Sequence, residues 1–316
     1  MDNTSVRIYL FTGFLESGKT TFIADTILNT DFCENEKTVL IVSEEGEVSY
    51  SQEEIEARNV DIVMVDDEDA IDKDFYLNIA KKYDPTQIIF ELNGMWNVNR
   101  IMACSKPAGW DIVQILTTID ASTFNLYVQN MRGQLFQHCA HSDLVIFNRI
   151  QEGMKKSVMR NNIKAMNSTV QIIYENEDGT VNNMPDDELP YDYTQDTLDI
   201  ADHNFGIFCY DAMEHPERYD HKHLKIKGKF IGRDKIMDNG FIIGRYAMVC
   251  CEQDTSLIGM LCTSPYASKL LPNEWLQLEG TTRIEYDQEL GGNICILDVE
   301  KLEGCSPLAN EYVTFD

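Results

Sequence analysis

The sequence predicts an α/β domain with a mostly parallel sheet, followed by a small, antiparallel all-β domain. Up to about residue 175, apolar runs alternate with helical stretches, as in a parallel sheet with helices on both faces. Beyond residue 205 the runs become short and β-like, separated by turns such as Asp238-Asn239-Gly240. Residues 175–202 hold ten carboxylates and no Lys or Arg, which is typical of a linker. We therefore predict domains at 1–175 and 205–316, joined by an acidic linker at 176–204.

The composition limits the class of protein. With 316 residues and 43% hydrophobic content, the chain is long and apolar enough for two cored domains. The net charge of −27 argues against nucleic acid as a partner, because phosphate backbones bind positive charge. No apolar run approaches the roughly 20 residues that span a bilayer, and Met1 to Arg7 lacks the pattern of a secretory signal. Together with nine cysteines, an odd number, this favours a cytoplasmic protein that does not span the membrane.

A phosphate-binding loop is predicted at Gly13 to Thr21, directly after the apolar strand Val6 to Phe11. Its sequence fits GxxxxGK[ST], in which the backbone N–H groups point at phosphates and the next helix adds its positive end. Lys19 would bind the β and γ phosphates, and the Thr20 hydroxyl would bind Mg²⁺. The candidate nucleotide-binding residues here are Gly13, Glu16, Ser17, Gly18, Lys19, Thr20 and Thr21. A chance glycine-bearing turn is disfavoured, because strand, loop and following helix agree.

An acidic turn follows the second predicted strand, Thr38 to Ser43. In an open α/β sheet the carboxyl ends of the strands form the edge where ligands bind. Glu44 or Glu47 can thus reach the magnesium ion, directly or through water. The alternative, a solvated acidic turn, is equally compatible with the spacing.

A second nucleotide-binding element is predicted where the strand Gln87 to Leu92 ends in Glu91-Leu92-Asn93-Gly94. A carboxylate at this position, opposite a phosphate loop, is expected to orient magnesium. Gly94 can offer its N–H group to a γ phosphate. We therefore expect Glu91 and Gly94 to lie beside Lys19 and Thr20.

The remaining runs complete the first domain. The predicted strands are Ile62 to Val65, Ile112 to Ile119, Leu144 to Phe147 and Val170 to Tyr174, and the helices are Thr21 to Leu28, Asp74 to Tyr83, Ser122 to His138 and Met154 to Met166. Asn148-Arg149-Ile150-Gln151 follows a strand in the position of a base-reading segment. His138 and His141 bracket Cys139 at a helix end, and we interpret them as structural rather than metal-binding.

Five segments in this order resemble the CobW-like metal-trafficking GTPases, which are grouped with the hydrogenase and urease nickel-insertion GTPases. They are Gly13 to Thr21, Glu44 to Val48, Glu91 to Gly94, Thr118 to Ala121 and Asn148-Arg149. The resemblance implies a P-loop NTPase fold and Mg²⁺-dependent GTP hydrolysis, coupled to zinc or cobalt homeostasis or to a metallochaperone activity. It implies catalytic roles for Lys19, Glu91, Gly94 and Glu44, with Glu47 as the other candidate to orient water.

Three positions depart from the family pattern. Glu16 stands where the loop commonly has glycine, and its carboxylate would either repel phosphate or turn outward to solvent. Gln151 replaces the aspartate that accepts two N–H bonds from guanine, which leaves the choice between GTP and ATP open. The family's Cys-x-Cys-Cys metal segment is missing, since Val48 to Ile88 contains no cysteine.

The second domain is predicted to be an OB-like barrel of five strands. The β-type runs are Phe205 to Tyr210, Leu224 to Ile231, Phe241 to Cys250, Ser256 to Cys262, Trp275 to Tyr286 and Asn293 to Leu302. Residues 205–316 resemble an uncharacterised two-cysteine bacterial domain that is usually found beside a predicted permease. The resemblance suggests a permease or a metal client protein as partner, and a homodimer is a further expectation.

Cys250 and Cys251, with His221 and His223 and with Cys262 as a third sulfur, could form a zinc site. Neighbouring residues of a strand point to opposite faces, so both thiols reach one ion only across a bulge. The alternative is one buried and one exposed thiol without a tightly bound metal.

Two other functions remain open on the sequence. One is a nucleotide-sensing module with little or no hydrolysis that docks on a permease or another partner, suggested by Glu16 and Gln151. The other is a small-molecule kinase, because phosphate loops serve both uses.

Overall fold

A computed structural model describes residues 5–182, 189–251 and 254–315, with side chains left out at 250–254. The chain divides into two units, each described by itself: Met1–Met154 with Met166–Met184, and Lys155–Ala165 with Pro185–Asp316. In the described part of the chain, no helix has the length and apolar character to cross a membrane.

The first unit is built on one parallel sheet. Its strands are β1 (Val6–Thr12), β2 (Thr38–Val42), β3 (Val60–Met64), β4 (Gln87–Glu91), β5 (Trp110–Asp120), β6 (Leu144–Ile150) and β7 (Gln171–Asn176). Its helices are α1 (Lys19–Asn29), α2 (Gln52–Glu56), α3 (Lys73–Tyr83), α4 (Val98–Ala103), α5 (Phe124–Asn130) and α6 (Arg132–Cys139). The strand order is β3-β2-β4-β1-β5-β6-β7, and the pairs are parallel, which confirms the predicted α/β class.

Side chains of β1 enter cores on both faces of this sheet. Ile8 and Leu10 pack in one cluster with residues of α3 and α4, whereas Phe11 packs in the other with residues of α1. β2 and β4 are buried along their whole length, which explains their continuous apolar sequences. Because Phe11 is paired with Glu91, the loop after β1 lies beside the end of β4.

The predicted helix Ser122 to His138 is interrupted. Met131 leaves the helical conformation (φ −135°, ψ 35°), ending α5 and beginning α6. Met131 itself is no helix breaker, and Gly133, in the first turn of α6, is the local sequence signal near the break. Phe124 of α5 and His138 of α6 are both buried.

The second unit contains a closed five-stranded barrel. Its strands are β8 (Thr197–Asp199), β9 (His223–Arg233), β10 (Gly240–Cys251), β11 (Asp254–Thr263), β12 (Trp275–Asp287), β13 (Gly292–Gly304) and β14 (Tyr312–Val313). The pairing runs β9-β10-β11-β13-β12 and back to β9, with β11 and β13 parallel. This order confirms the predicted OB-like barrel. β8, from the acidic stretch, extends the sheet beside β9, and Leu198 is buried there.

Two helices, α7 (Lys156–Met166) and α8 (Phe205–Glu214), accompany the barrel. Arg160 and Lys164 of α7 form ion pairs with Glu214 of α8, at 3.2 and 3.5 Å. The predicted strand Phe205 to Tyr210 is wrong, because these residues begin α8. A short, continuous apolar run is ambiguous between a buried strand and a buried helix, and here seven of the ten residues of α8 are buried.

Substituting alanine for Gly259 is expected to destabilise the barrel. A Cβ atom at this position would lie 2.2 Å from the carbonyl oxygen of Ile243 on the paired strand. Forcing the two backbones apart should lower the free energy of unfolding by about 2 kcal/mol. Urea unfolding followed by circular dichroism measures the change. Gly292→Ala is the matched control, since no atom lies within 4 Å of its added Cβ, and equal stability of the two variants would contradict the prediction.

Candidate nucleotide and magnesium site

The loop between β1 and α1 closes around the side chain of Lys19. Gly13 and Gly18 have φ angles of 132° and 96°, which side-chain-bearing residues rarely adopt. The Lys19 ammonium donates hydrogen bonds to the carbonyl oxygens of Gly13 (2.9 Å) and Phe14 (2.8 Å). Lys19 is buried, so its positive charge is held inside the loop.

A carboxylate lies against this ammonium. Glu44, directly after β2 and Ser43, forms an ion pair with Lys19 through one oxygen. Its other oxygen accepts a hydrogen bond from the Gly94 N–H group at 3.0 Å. Lys19 and Gly94, the two residues predicted to bind the γ phosphate, are therefore brought together, and the carboxylate of Glu44, predicted as a candidate near magnesium or water, lies between them.

Thr20 and Glu91, the two residues predicted to bind Mg²⁺ through oxygen, lie side by side. The Thr20 hydroxyl donates to Glu91 Oε1 at 2.6 Å, and the Tyr50 hydroxyl donates to Oε2 at 2.6 Å. Burial raises the pKa of Glu91, and the two hydrogen bonds oppose that effect. A hydroxyl and a carboxylate are oxygen ligands of the kind that Mg²⁺ prefers, so this pair fits the ion. The contact of Tyr50 with Glu91 was not predicted, because no spacing rule links these two residues.

The backbone of Gly94 is fixed from a second side. His138 Nε2 and Gln134 Nε2 lie 3.0 and 3.1 Å from the Gly94 carbonyl oxygen. His138 Nδ1 is buried and has no hydrogen-bond partner among the described residues. Burial lowers the pKa of His138 to about 4, so the ring is neutral at pH 7. His138 therefore positions Gly94 beside the loop.

Acidification should destabilise the protein through His138. The unfolded chain takes up a proton near pH 6.5, whereas the folded chain resists it down to about pH 4. The contribution of the neutral His138 to the free energy of unfolding is thus fully present above pH 6.5 and is lost as the pH falls towards about 4. Between pH 7.5 and 4.5 the free energy of unfolding should decrease by about 2 to 3 kcal/mol from this residue. Urea titrations at several pH values should show that this decrease is absent in His138→Gln and retained in His141→Gln, which changes an exposed residue. If the free energy of unfolding depends on pH in the same way in the wild-type protein and in both variants, the assignment to His138 is refuted.

Asn148 and Arg149 contact the loop from the end of β6. Asn148 Nδ2 donates to the Ser17 carbonyl oxygen at 2.7 Å, while its buried Oδ1 has no hydrogen-bond partner in the described part of the chain. Arg149 donates to the carbonyl oxygen of Glu16 (3.0 Å) and to Asp120 Oδ2 (2.6 Å). The unpaired acceptor of Asn148 fits a ligand with an N–H group. Gln151 is exposed.

Glu16 stands where the family's loop commonly has glycine, but its carboxylate does not occupy the position between Lys19 and Gly94 that Glu44 occupies. Its φ angle of 61° is left-handed, a conformation that favours glycine. The side chain turns outward and accepts a hydrogen bond from the Glu47 N–H group at 2.7 Å. The pocket over the loop is lined by Leu15, Glu16, Gly18, Lys19, Thr20, Thr21, Glu44, Gly46, Val48 and Arg149.

The side chains that the structure describes do not form the suggested zinc site. Within those side chains, no group of three or more His, Cys, Asp or Glu residues could hold a metal ion. The side chains of Cys250 and Cys251 lie outside the described part. The His221 side chain is 81% exposed, whereas Cys262 is fully buried and burial raises its thiol pKa.

The parallel sheet, the glycine loop with its buried lysine, and the paired Thr20 and Glu91 define a P-loop nucleotide-binding domain. The model of the CobW/HypB/UreG nucleotide-binding domain matches residues 7–174, and the chain belongs to this family. Residues 174–314 match the model of the DUF1980 C-terminal domain. No curated protein matches the chain.

Three solved structures are 9 to 16% identical to this chain over the matched residues. Hydrogenase maturation factor HypB from Archaeoglobus fulgidus is 16% identical, with 57% of this chain and 85% of that chain covered and a TM-score of 0.42. A Zn(II)-bound triple mutant of the YjiA GTPase is 12% identical, with 98% and 92% covered and a TM-score of 0.39. A small single-stranded DNA-binding protein from Streptomyces coelicolor is 9% identical, with 27% and 94% covered and a TM-score of 0.20.

Proposed function

We propose that the first unit binds a nucleoside triphosphate, GTP before ATP, with Mg²⁺ and hydrolyses it to the diphosphate and phosphate. One observation carries the proposal. The Lys19 ammonium and the Gly94 N–H group converge on one anionic group, which here is the carboxylate of Glu44. This position therefore binds negative charge, and it lies next to a pair of oxygen donors suited to a divalent cation.

Each side chain has a role that follows from its position. Thr20 and Glu91 would hold Mg²⁺, whose charge offsets that of the phosphates. Lys19 would bind the β and γ phosphates, and the Gly94 N–H group would donate to the γ phosphate. Once the γ phosphate has replaced the Glu44 carboxylate beside Lys19, Glu44 would still lie close to it and could orient the attacking water. The side chain of Glu44 is mostly buried at the site, so Glu44 is better placed for this role than the exposed Glu47.

The preference for GTP rests on the family. Asn148 would contact the base from the end of β6, and Arg149 would lie along it, held by Asp120. Gln151 can accept through one amide oxygen only, whereas the family's aspartate accepts two N–H bonds. We therefore propose a modest preference, tested by comparing both nucleotides in each assay.

The coupling to metal homeostasis rests on family membership. We propose that hydrolysis serves zinc or cobalt handling or metallochaperone activity, with Cys250 and Cys251 of the barrel as zinc ligands and a permease or a metal client as partner. The seven described cysteines are free thiols, which suits a reducing compartment such as the cytoplasm.

Phosphate release tests the proposed activity. Purified protein is incubated with GTP or ATP, with Mg²⁺ or with excess chelator, and with or without Zn²⁺. Release that requires Mg²⁺ and is faster with GTP is expected. Equal background phosphate under all these conditions would contradict hydrolysis.

A nucleotide sensor without hydrolysis is the second candidate function. The observation that favours it is the engagement of the catalytic groups by the protein itself: Glu44 is paired with Lys19, and Tyr50 with Glu91. A protein of this kind would bind triphosphate tightly and release no phosphate, and its barrel would dock on a permease or another partner.

A further inference from the structure

The segment after β2, residues 43–50, is attached to the phosphate-binding site at four points. The Ser43 hydroxyl donates to the Glu91 carbonyl oxygen and accepts from the Asn93 N–H group. Glu44 contacts Lys19 and Gly94. The Glu47 N–H group donates to the carboxylate of Glu16. The Tyr50 hydroxyl donates to Glu91. We call residues 43–50 the Glu44 segment.

Glu44 occupies one N–H group of Lys19 and the N–H group of Gly94, the donors expected to bind a γ phosphate. A lysine ammonium has three N–H donors, and here the oxygens of Gly13, Phe14 and Glu44 take one each. The single backbone N–H of Gly94 is also donated to Glu44. The ion pair is shielded from water, since the side chains of Lys19 and Glu44 are 2% and 9% exposed. A phosphate group can bind these donors only after the carboxylate has left.

We propose that Glu44 competes with the γ phosphate and thereby sets the affinity difference between triphosphate and diphosphate. This inference rests on the proposed nucleotide binding. A triphosphate must displace the carboxylate from Lys19 and Gly94. A diphosphate has no group for the Gly94 position, so Glu44 remains there and the Glu44 segment keeps its contacts.

The competition has a directional consequence for binding. A triphosphate must first break the ion pair between Lys19 and Glu44, and separating two opposite charges in a shielded site costs more than it would in water. Removing the negative charge of Glu44 should therefore strengthen triphosphate binding, although Glu44 is itself part of the site. The diphosphate, bound beside an undisturbed Glu44, should gain much less.

Calorimetry with Mg²⁺ and either a non-hydrolysable GTP analogue or GDP tests the inference. Glu44→Gln keeps an oxygen for the Gly94 N–H group but loses the charge. We expect it to bind the triphosphate analogue about tenfold more tightly and to change GDP affinity by less than about threefold. Glu45→Gln, an exposed neighbour, removes the same charge outside the site and should change neither affinity.

Two different results distinguish failure of the Glu44 competition from failure of nucleotide binding itself. If the wild-type protein binds nucleotide but Glu44→Gln leaves the ratio of the two affinities unchanged or lowers it, the competition is refuted and nucleotide binding stands. If the wild-type protein and both variants bind neither compound, nucleotide binding is refuted and the inference with it.

Hydrogen exchange of the wild-type protein gives a second measurement that does not depend on folding of a variant. The triphosphate analogue should increase exchange of the Glu47 amide, whose hydrogen bond to Glu16 should be lost when Glu44 is displaced, whereas GDP should leave its exchange as in the free protein. Identical exchange with both compounds would overturn the proposal.

Discussion

Lys19→Ala is expected to weaken triphosphate binding by at least about 100-fold, which is roughly 3 kcal/mol. Among the residues that the structure describes, the ammonium is the one buried cation that contacts the anionic group at this site, and charge-assisted hydrogen bonds of this kind contribute about 1.5 to 3 kcal/mol each. Calorimetry with Mg²⁺ and a non-hydrolysable GTP analogue measures the loss. Lys37→Ala, which removes an exposed lysine paired with Asp84, is the matched control and should bind like the wild-type protein.

The substitution also leaves the Glu44 carboxylate without its partner. Because that side chain is mostly buried, the protein should lose roughly 3 kcal/mol of stability. Lys19→Ala combined with Glu44→Gln should recover much of this stability without recovering triphosphate affinity. If the double variant bound triphosphate as tightly as the wild-type protein, Lys19 would have no part in binding.

Glu91→Gln is expected to slow phosphate release by about 100-fold or more. The amide can accept the hydrogen bond from Thr20 through its oxygen and donate one to the Tyr50 hydroxyl through its nitrogen, so the fold should be kept. It cannot supply the negative charge that holds Mg²⁺ beside the phosphates. Triphosphate affinity should accordingly become insensitive to Mg²⁺.

Parallel assays of phosphate release and of Mg²⁺-dependent binding check both effects. Glu53→Gln, at an exposed carboxylate of α2, should behave as the wild-type protein. Undiminished phosphate release by Glu91→Gln would remove this carboxylate from the proposed mechanism.

The nucleotide elements were predictable because each is a local pattern joined to a strand end. The glycine loop after β1 and the Glu91 to Gly94 turn after β4 lie side by side, since parallel strands carry their carboxyl ends to one edge. Alternating strands and helices in the first unit, and short β runs in the second, were likewise enough to predict the two sheet types. These features depend on neighbours in sequence and on rules of sheet topology.

The contacts that complete the site depend on distant parts of the chain. Tyr50 reaches Glu91 and His138 reaches Gly94 across 41 and 44 positions, and no periodicity relates these residues. Glu44 was predicted as a candidate near magnesium, but its bridge between Lys19 and Gly94 is a property of how three loops meet. The segment Phe205 to Tyr210 was misassigned because buried strands and buried helices share an apolar composition.

A crystal structure of the protein with Mg²⁺ and a non-hydrolysable GTP analogue would show directly whether the loop binds a triphosphate. We expect the triphosphate in the loop Gly13 to Thr21, with its γ phosphate on Lys19 and the Gly94 N–H group and with Glu44 displaced. A structure grown at saturating analogue in which Glu44 still bridges these two donors and the loop holds no phosphate would contradict this expectation.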